Sequence, residues 1–265
     1  MMGYRPATLL IGRMGLERPR KRVLTHVLKP HRHAPDGGYP RGEETRARII
    51  AAAVELFGEY GWGGTSTRDI AARAGVNAPV LQYYFDSKEG LYLACMQQVI
   101  AGFWKFMGAV AEQAESVLAR EASDADLIES FCQIQTQWAE VACSDQSRSW
   151  RRLLERQHAD IGPAFALDVY YEGITRRMFA VIVAIVARLR NTSVENPETQ
   201  IRALALGGQL AILHSMPRTT LGTLNQDSIG EKELALFKSV VREHTTVVLR
   251  SLAPARSIQP SINTR

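Results

Sequence analysis

Residues 65–88, TSTRDIAARAGVNAPVLQYYFDSK, decide the fold of this chain, because their pattern predicts two short helices joined by a tight turn. Ser66 opens the first helix with an S-x-x-D capping box, in which the serine and aspartate side chains satisfy backbone N–H groups. Gly75 ends that helix, since glycine readily adopts the left-handed conformation required there. Asn77 then caps a second helix, which carries a proline in its first turn, where a missing N–H costs nothing.

The two faces of this second helix differ in chemistry. Leu81 and Phe85 lie four residues apart and are expected to point into the core. The outward positions hold no acidic side chain; they are Ala78, Pro79, Val80, Gln82, Tyr83 and Tyr84. A helix-turn-helix places such a face in the DNA major groove, while the first helix and its flanks hold phosphates. Asp86 or Ser87, together with Glu89, caps the following helix.

With these motifs, the sequence resembles the TetR family of bacterial transcriptional regulators. The matching segments are LFGEYGWGGTSTRDIAARAGV, NAPVLQYYF and DSKEGL. The V-N-x-P and K-E-G-L-Y segments are most similar to the subgroup with a CerR-type C-terminal domain. The family usually has tyrosine where Gln82 stands. Glutamine also reads adenine edges, so DNA binding is expected, but the family's sequence preference does not transfer.

The resemblance assigns DNA contacts position by position. Base edges and thymine methyls are expected to meet Ala78, Pro79, Val80, Gln82 and Tyr83. Phosphates are expected at Thr67, Arg68, Tyr84 and Lys88, the last because it lies near a helix N-terminus. Thr45 and Arg46, at the start of the preceding amphipathic helix (residues 44–60), are placed to reach the DNA backbone. A solvated charge is the alternative for Arg46.

The positive charge of the chain is concentrated at its start. The formal net charge is +5, yet residues 1–40 carry eight of the Lys and Arg residues against two acidic residues. This segment lacks periodicity and is expected to be disordered. It is either a basic arm that adds non-specific DNA affinity, a solvated tail, or the product of an over-long gene model that truly starts at Met14 or later.

Several classes of protein do not fit the sequence. The chain lacks G-x-G-x-x-G, G-x-x-x-x-G-K-S/T, H-E-x-x-H and G-x-S-x-G motifs, so we expect no enzyme, no cofactor and no metal site. Three separated cysteines indicate a reduced, cytoplasmic protein, which would lie at the nucleoid when bound to DNA. The longest apolar run spans only residues 178–187 and is flanked by arginines, which is too short for a membrane span.

Everything after residue 87 has helical periodicity, which predicts an all-α protein. Helices are expected at about 87–120, 124–143, 147–158, 165–190, 197–215 and 230–252. The chain is therefore divided into a tail (1–40), a three-helix helix-turn-helix domain (41–90), a helical-bundle effector and dimerisation domain (91–252) and a disordered end (253–265).

The C-terminal domain offers a pairing surface and a candidate pocket. Apolar residues recur every three or four positions in the last helix, as in a helix-pairing seam. The dimer interface is predicted at Leu204, Gly208, Leu234, Phe237, Val241, His244 and Val248, unless both helices pack only within their own chain. A small-molecule pocket is predicted among Trp104, Phe131, Trp138, His158, Phe165, Tyr170 and Met178, for which plain core packing is the alternative. Arg151, Arg152 and Arg156 either attract an anionic effector or form a solvated basic face.

Together these features predict a homodimeric regulator that binds double-stranded DNA at a palindromic operator. Repression released by a small-molecule effector is the commoner mode in similar proteins, and activation stays open. The long helix after Ser87 is expected to transmit the effector signal. The alternative is a DNA-binding architectural or interaction protein that has no effector.

Overall fold

The computed structural model describes residues 40–158, 162–210, 222–223, 225–226 and 229–253. Within these ranges the regular structure is helical, with no strand, so the all-α prediction is confirmed. Both predicted tails, apart from Pro40 and Ala253, lie outside the described residues. The helix predicted over 197–215 instead ends at Gly208 and is followed by a turn at 209–210, while residues 211–215 are outside the described ranges. The helices are α1 (Pro40–Gly64), α2 (Thr67–Arg73), α3 (Ala78–Phe85), α4 (Lys88–Ala119), α5 (Asp124–Cys143), α6 (Arg148–His158), α7 (Ala164–Tyr170), α8 (Arg176–Leu189), α9 (Pro197–Gly208) and α10 (Glu231–Leu252).

The first three helices pack around an apolar core. Its fully buried side chains include Phe57 of α1, Ile70 of α2 and Phe85 of α3. This core continues past residue 90, because Leu153 of α6 and Ala166 of α7 belong to the same buried cluster. Tyr60 of α1 lies outside this core, since half of it is exposed.

The remaining helices form a bundle around α4. Helix α5 packs on α4 on one side and on α10 on the other, and α8 packs on α9. The helix predicted over 165–190 is interrupted, since a π-helical turn (Tyr171–Thr175) joins α7 to α8. The Trp104 indole N–H donates a 2.7 Å hydrogen bond to the carbonyl of Gly173 in this turn, which ties the middle of α4 to it. No helix among the described residues is both long and apolar enough to cross a membrane.

Helix α6 forms a second connection between the N-terminal core and the bundle. Its backbone lies against Gly58 of α1, where an added Cβ would come within 3.3 Å of α6 atoms. Arg156 donates to the carbonyls of Gly58 and Glu59 near the end of α1. The Tyr92 hydroxyl of α4 donates a 3.0 Å bond to Oε1 of Gln157. The N-terminal helices are therefore held by α6 as well as by α4.

Candidate nucleic-acid interface

The turn between α2 and α3 has the local geometry that the sequence predicts. The Asp69 N–H donates to the Ser66 hydroxyl, and the Ser66 N–H donates to the Asp69 carboxylate at 3.1 Å. The Ser66 hydroxyl also donates to the Asp69 carboxylate at 2.6 Å, and this bond, followed by the one from the Ser66 N–H, lowers the pKa of Asp69. Gly75 has a φ of 66°, in the left-handed region. The Val80 N–H donates to Asn77 Oδ1 at 3.0 Å, which caps α3.

Helix α3 presents the acid-free face to solvent. Leu81 and Phe85 are buried as predicted. Most of the opposite side is exposed, and Tyr83 is 63% exposed, with its ring packed edge-on against Tyr84 at 5.3 Å. The members of this face are Ala78, Pro79, Gln82 and Tyr83, which are exposed, and Val80 and Tyr84, which are half-buried.

Gln82 takes part in ending this helix. Its side-chain amide donates to the carbonyl of Asp86, the C-cap residue, whose φ is 56°. The carboxamide therefore stabilises the junction between α3 and α4 in the DNA-free protein. To read an adenine edge it would have to leave this carbonyl, so the base contact expected for Gln82 requires a rotamer change.

The residues expected to hold phosphates differ in their surroundings. Arg68 is exposed and Thr67 is half-buried on α2. Thr45 donates from its hydroxyl to the Arg41 carbonyl at 2.9 Å. The Arg46 guanidinium lies 5.5 Å from the centre of the Phe85 ring, which holds it beside the end of α3.

Lys88 does not occupy the position expected of a phosphate contact. Its Nζ donates a 2.6 Å hydrogen bond to the carbonyl of Trp62 and lies 4.4 Å from the centre of the Trp62 indole. The side chain is half-buried, and this burial lowers the pKa of the ammonium group. Ser87, not Asp86, caps α4, since its hydroxyl accepts the Gly90 N–H.

The residues predicted to line an effector pocket are core or near-core side chains. Phe131 and Met178 are buried in the bundle, and Trp104, Trp138 and Tyr170 pack against them. Phe165 instead packs on the core of the N-terminal helices, so the structure does not gather the set around one space. The side chain of His158 lies outside the described part of the chain. An open groove of about 450 Å³ between α5 and α10 has a different lining: Asp124, Ala125, Ile128, Glu129, Arg242, Thr246, Arg250 and Ala253.

Two of the three arginines considered for an anionic effector already bind carbonyls. Arg151 donates to the carbonyls of Ala142 and Ser144, and Arg156 donates to those of Gly58 and Glu59. Arg152 is exposed. These two arginines thus stabilise the ends of helices, which argues against an anion site at this cluster.

Helices α9 and α10 each carry exposed apolar side chains, which we together call the α9–α10 stripe. Its members are Ile201 and Leu204 of α9 and Leu236, Val240, Val247 and Val248 of α10. Leu204 and Val248 were predicted at the dimer interface, and Gly208 and His244 are also exposed. Leu234, Phe237 and Val241 are not part of the stripe, because they pack against Ala139, Ala142 and Leu210 of their own chain. Val241 is buried within its own chain, while Leu234 and Phe237 are only partly buried, so their place at the dimer interface stays a prediction.

Sequence reasoning missed the polar contacts inside the C-terminal domain. Gln135 is buried and donates from its amide to the Leu206 carbonyl at 2.9 Å, and its Oε1 has no hydrogen-bond partner among the described residues. The fully buried Thr245 hydroxyl also has none within the described ranges. Gln135 joins α5 to α9, which are far apart in sequence, and only the polarity of positions 135 and 245 on otherwise apolar faces signals these two residues.

Two family models match separate parts of the chain. The model described as bacterial regulatory proteins, tetR family, matches residues 49–95, which include α2 and α3. The model of the C-terminal domain of the HTH-type transcriptional dual regulator CecR matches residues 127–252. The subgroup expected from the sequence as CerR-type is thus the one with the CecR domain.

Individual relatives support both matches. The chain is 27% identical over 214 residues to the HTH-type transcriptional dual regulator CecR of Shigella flexneri, an alignment that covers 80% of this chain and 95% of that protein. It is 44% identical over 52 residues to the HTH-type transcriptional regulator RutR of Escherichia coli strain K12, which is 20% of this chain and 24% of that protein.

Solved structures of transcriptional regulators share the fold. A regulator from Rhodococcus sp. RHA1 aligns with a TM-score of 0.53 and 15% identity, covering 78% of this chain and 96% of that one. A TetR-like regulator from Rhodococcus sp. RHA1 aligns with a TM-score of 0.51 and 21% identity, covering 77% and 95%. At these identities the likeness establishes the architecture alone.

Proposed function

The chain belongs to the TetR family of DNA-binding transcriptional regulators, and from this premise we propose that it is a homodimeric repressor that binds a palindromic operator and releases it when a small molecule binds its C-terminal domain. The observation that carries the proposal is the exposed, acid-free face of α3. Because both caps of the α2–α3 turn are satisfied, this face is presented without any folding on binding.

The α9–α10 stripe supports the dimer. Six apolar side chains exposed on two helices favour an interaction surface, because large exposed apolar patches mark such surfaces. Two antiparallel or crossed helices from each protomer would bury the stripe in a four-helix interface with two-fold symmetry. Two-fold symmetry in the protein requires two symmetric half-sites in the DNA, about one helical turn apart or a multiple of it.

Release by a ligand requires a path from the bundle to α3. Helix α4 provides one, since it begins beside α3 and its middle is tied to the π-helical turn by Trp104. Helix α6 provides another through Arg156 and Gln157. A ligand that favours a different arrangement of these helices by about 1–3 kcal/mol would change operator affinity by the corresponding factor. The relative from Shigella flexneri is called a dual regulator, so activation is the second mode to test.

Selection of binding sites from random duplexes tests the proposal directly. The full chain is incubated with a pool of duplexes that contain a random central segment, and bound DNA is amplified and sequenced. We expect enrichment of a two-fold symmetric motif, which would also be the probe for later measurements. Enrichment of no motif, with equal affinity for all duplexes, would contradict sequence-specific recognition and favour an architectural role.

Tyr83→Ala is expected to weaken binding to the selected duplex by about 1–3 kcal/mol, because Tyr83 is the largest exposed side chain on the recognition face. Dimerisation should not change. Fluorescence anisotropy with labelled duplex measures the affinity. Tyr60→Ala is a matched control, since Tyr60 is an exposed tyrosine at the end of α1 rather than on α3. Unchanged affinity of the Tyr83 variant would mean that another face of α3 enters the groove.

A further inference from the structure

The ammonium group of Lys88 lies inside an aromatic cluster formed by Phe57, Trp62 and Tyr92. The Phe57 and Trp62 rings stack at 5.7 Å, and Tyr92 packs edge-on against Phe57 at 4.9 Å and against Trp62 at 5.3 Å. Lys88 Nζ lies 4.4 Å from the Trp62 ring centre and 6.0 Å from the Phe57 ring centre. A cation held over aromatic faces at these distances is attracted by their quadrupoles, more strongly where water is excluded.

The same ammonium group also holds the backbone of the loop. It donates a 2.6 Å hydrogen bond to the Trp62 carbonyl, a charge-assisted bond between the first turn of α4 and residues 61–66. These residues follow the break at the end of α1 and lead into α2, and we call them the α1–α2 loop. Immediately before Trp62, the helical path breaks at Gly61, whose φ is 74°. The cluster therefore fixes the chain at the point where its direction changes.

The loop that Lys88 holds leads directly into the helix-turn-helix. Three residues after Trp62, the buried Thr65 hydroxyl donates to the carbonyls of Leu56 and Gly61, at 3.0 and 2.9 Å. The next residue, Ser66, is the N-cap of α2. The position of α2, which carries Thr67 and Arg68, thus depends on how this loop is fastened to α4.

We infer that Lys88 is a positioning residue for DNA recognition, which fastens the α1–α2 loop to α4 and so sets α2 against α3, and that it makes no phosphate contact. The inference rests on the proposed function, since it concerns how that DNA is bound. The groups that face Nζ are the Trp62 carbonyl and two aromatic rings, and Glu89 is the acidic neighbour on its own helix. Because its charge is directed into this cluster, Lys88 stabilises the position of α2 from the interior of the protein and does not contact the DNA.

The test compares Lys88→Met, which keeps an unbranched apolar stem and removes the charge, with Lys88→Arg, which keeps a cation and N–H donors. Arg68→Ala serves as the reference for a lost phosphate contact, because Arg68 is exposed on α2. Anisotropy titrations measure affinity for the selected duplex and for a scrambled duplex at several salt concentrations. Amide and indole NMR spectra of the DNA-free proteins report on Trp62, whose indole signal is identified by its loss in Trp62→Phe.

We expect Lys88→Met to bind the selected duplex about tenfold more weakly, with its salt dependence and its affinity for scrambled DNA unchanged. Lys88→Arg should recover most of that affinity. Arg68→Ala removes one phosphate contact from each protomer, so it should instead lower the slope of log affinity against log salt by about 1.8 per bound dimer and weaken binding to both duplexes. The Trp62 indole signal of Lys88→Met should move in the absence of DNA.

A slope reduced by about 1.8 per bound dimer in Lys88→Met, with equal losses on both duplexes, would overturn the inference and make Lys88 a phosphate contact. Wild-type affinity together with an unmoved Trp62 signal would overturn it as well. Failure of the wild-type protein to select any duplex would instead refute the proposed function. In that case the Trp62 signal alone still decides whether Lys88 fastens the loop.

Discussion

Val240→Glu is expected to convert the dimer to a monomer at micromolar concentration. On α10, Val240 lies about one turn after Leu236 and about two turns before Val247, both of which are exposed members of the α9–α10 stripe. In a two-fold interface, the substitution buries two carboxylates among the apolar side chains of the α9–α10 stripe. Each unpaired buried charge costs about 3 kcal/mol or more, which exceeds what the lost valine contacts contribute. Light scattering coupled to size-exclusion chromatography measures the resulting mass.

Ser239→Glu is the matched control for this experiment. It adds the same charge one residue away on α10, at an exposed position outside the α9–α10 stripe. We expect this variant to remain a dimer. If Val240→Glu also remained a dimer, the α9–α10 interface would be wrong, whereas two monomeric variants would mean that α10 tolerates no added negative charge.

Loss of the dimer should also weaken DNA binding. When two recognition helices are linked in one dimer, binding of the second half-site becomes intramolecular, which raises affinity by about 10²–10⁴ over a single half-site. Val240→Glu should lose most of that factor on the selected duplex and keep the affinity of one half-site. This outcome would separate the part of the DNA affinity that comes from linking two recognition helices in a dimer from the part that comes from the α3 face itself.

The helix-turn-helix was predictable because local chemistry determines it. The Ser66–Asp69 capping box, Gly75 and the Asn77 cap each act within a few residues of their own position, and the structure confirms all three. Leu81 and Phe85 were likewise identified from their spacing alone. A helix cap or turn that is set by neighbouring residues forms in the same way however the rest of the chain packs.

The pairing surface was predicted only in part, for a physical reason. Helix α10 carries apolar residues on two sides. The spacing of three and four residues through Leu234, Phe237 and Val241 is therefore as regular as the spacing of the exposed apolar residues on its other side. Only the position of α5 decides which side is covered, and α5 covers the side that holds Val241. Periodicity indicates that a face is apolar but not what it packs against.

Contacts between distant residues were the least predictable part of the site. Lys88 and Trp62 are 26 residues apart, and Tyr92 and Gln157 are 65 apart. A lysine after a helix N-cap is typical of a phosphate contact, and nothing local shows that a loop carbonyl will take its ammonium group instead. For a similar reason, the aromatic residues predicted to line a pocket do not by themselves identify one, since bulky aromatic side chains pack a core as readily as they line a cavity.

Gly90→Ala is expected to destabilise the protein by about 2–3 kcal/mol and to weaken operator binding. Gly90 lies in the first turn of α4, where its N–H donates to the Ser87 hydroxyl at 3.1 Å. A Cβ added there would come closer than 3.0 Å to the carbonyl oxygen of Phe85, the last residue of α3. That oxygen belongs to the backbone and Phe85 is fully buried, so no side-chain rotation can relieve the overlap. Helices α3 and α4 would have to separate.

Gly108→Ala is the matched control, because it is the same chemical change in the same helix. No atom lies within 4 Å of a Cβ added at Gly108, apart from its own helix backbone and chain neighbours. We therefore expect stabilisation by about 0.5–1 kcal/mol, since alanine loses less conformational freedom than glycine when a helix forms. Urea unfolding at one fixed protein concentration measures both variants, because the stability of a dimer depends on concentration.

Opposite signs for the two variants would show that the close approach of α4 to α3, and not helix propensity, requires glycine at position 90. The two helices meet at this point with no side chain between them, so a displacement of α4 is passed to the recognition helix directly. If Gly90→Ala were as stabilising as Gly108→Ala, α3 and α4 would be able to move apart at their junction without loss of stability. The α4 route from the bundle would then be too compliant to carry a signal, and the α6 contacts of Arg156 and Gln157 would have to carry it.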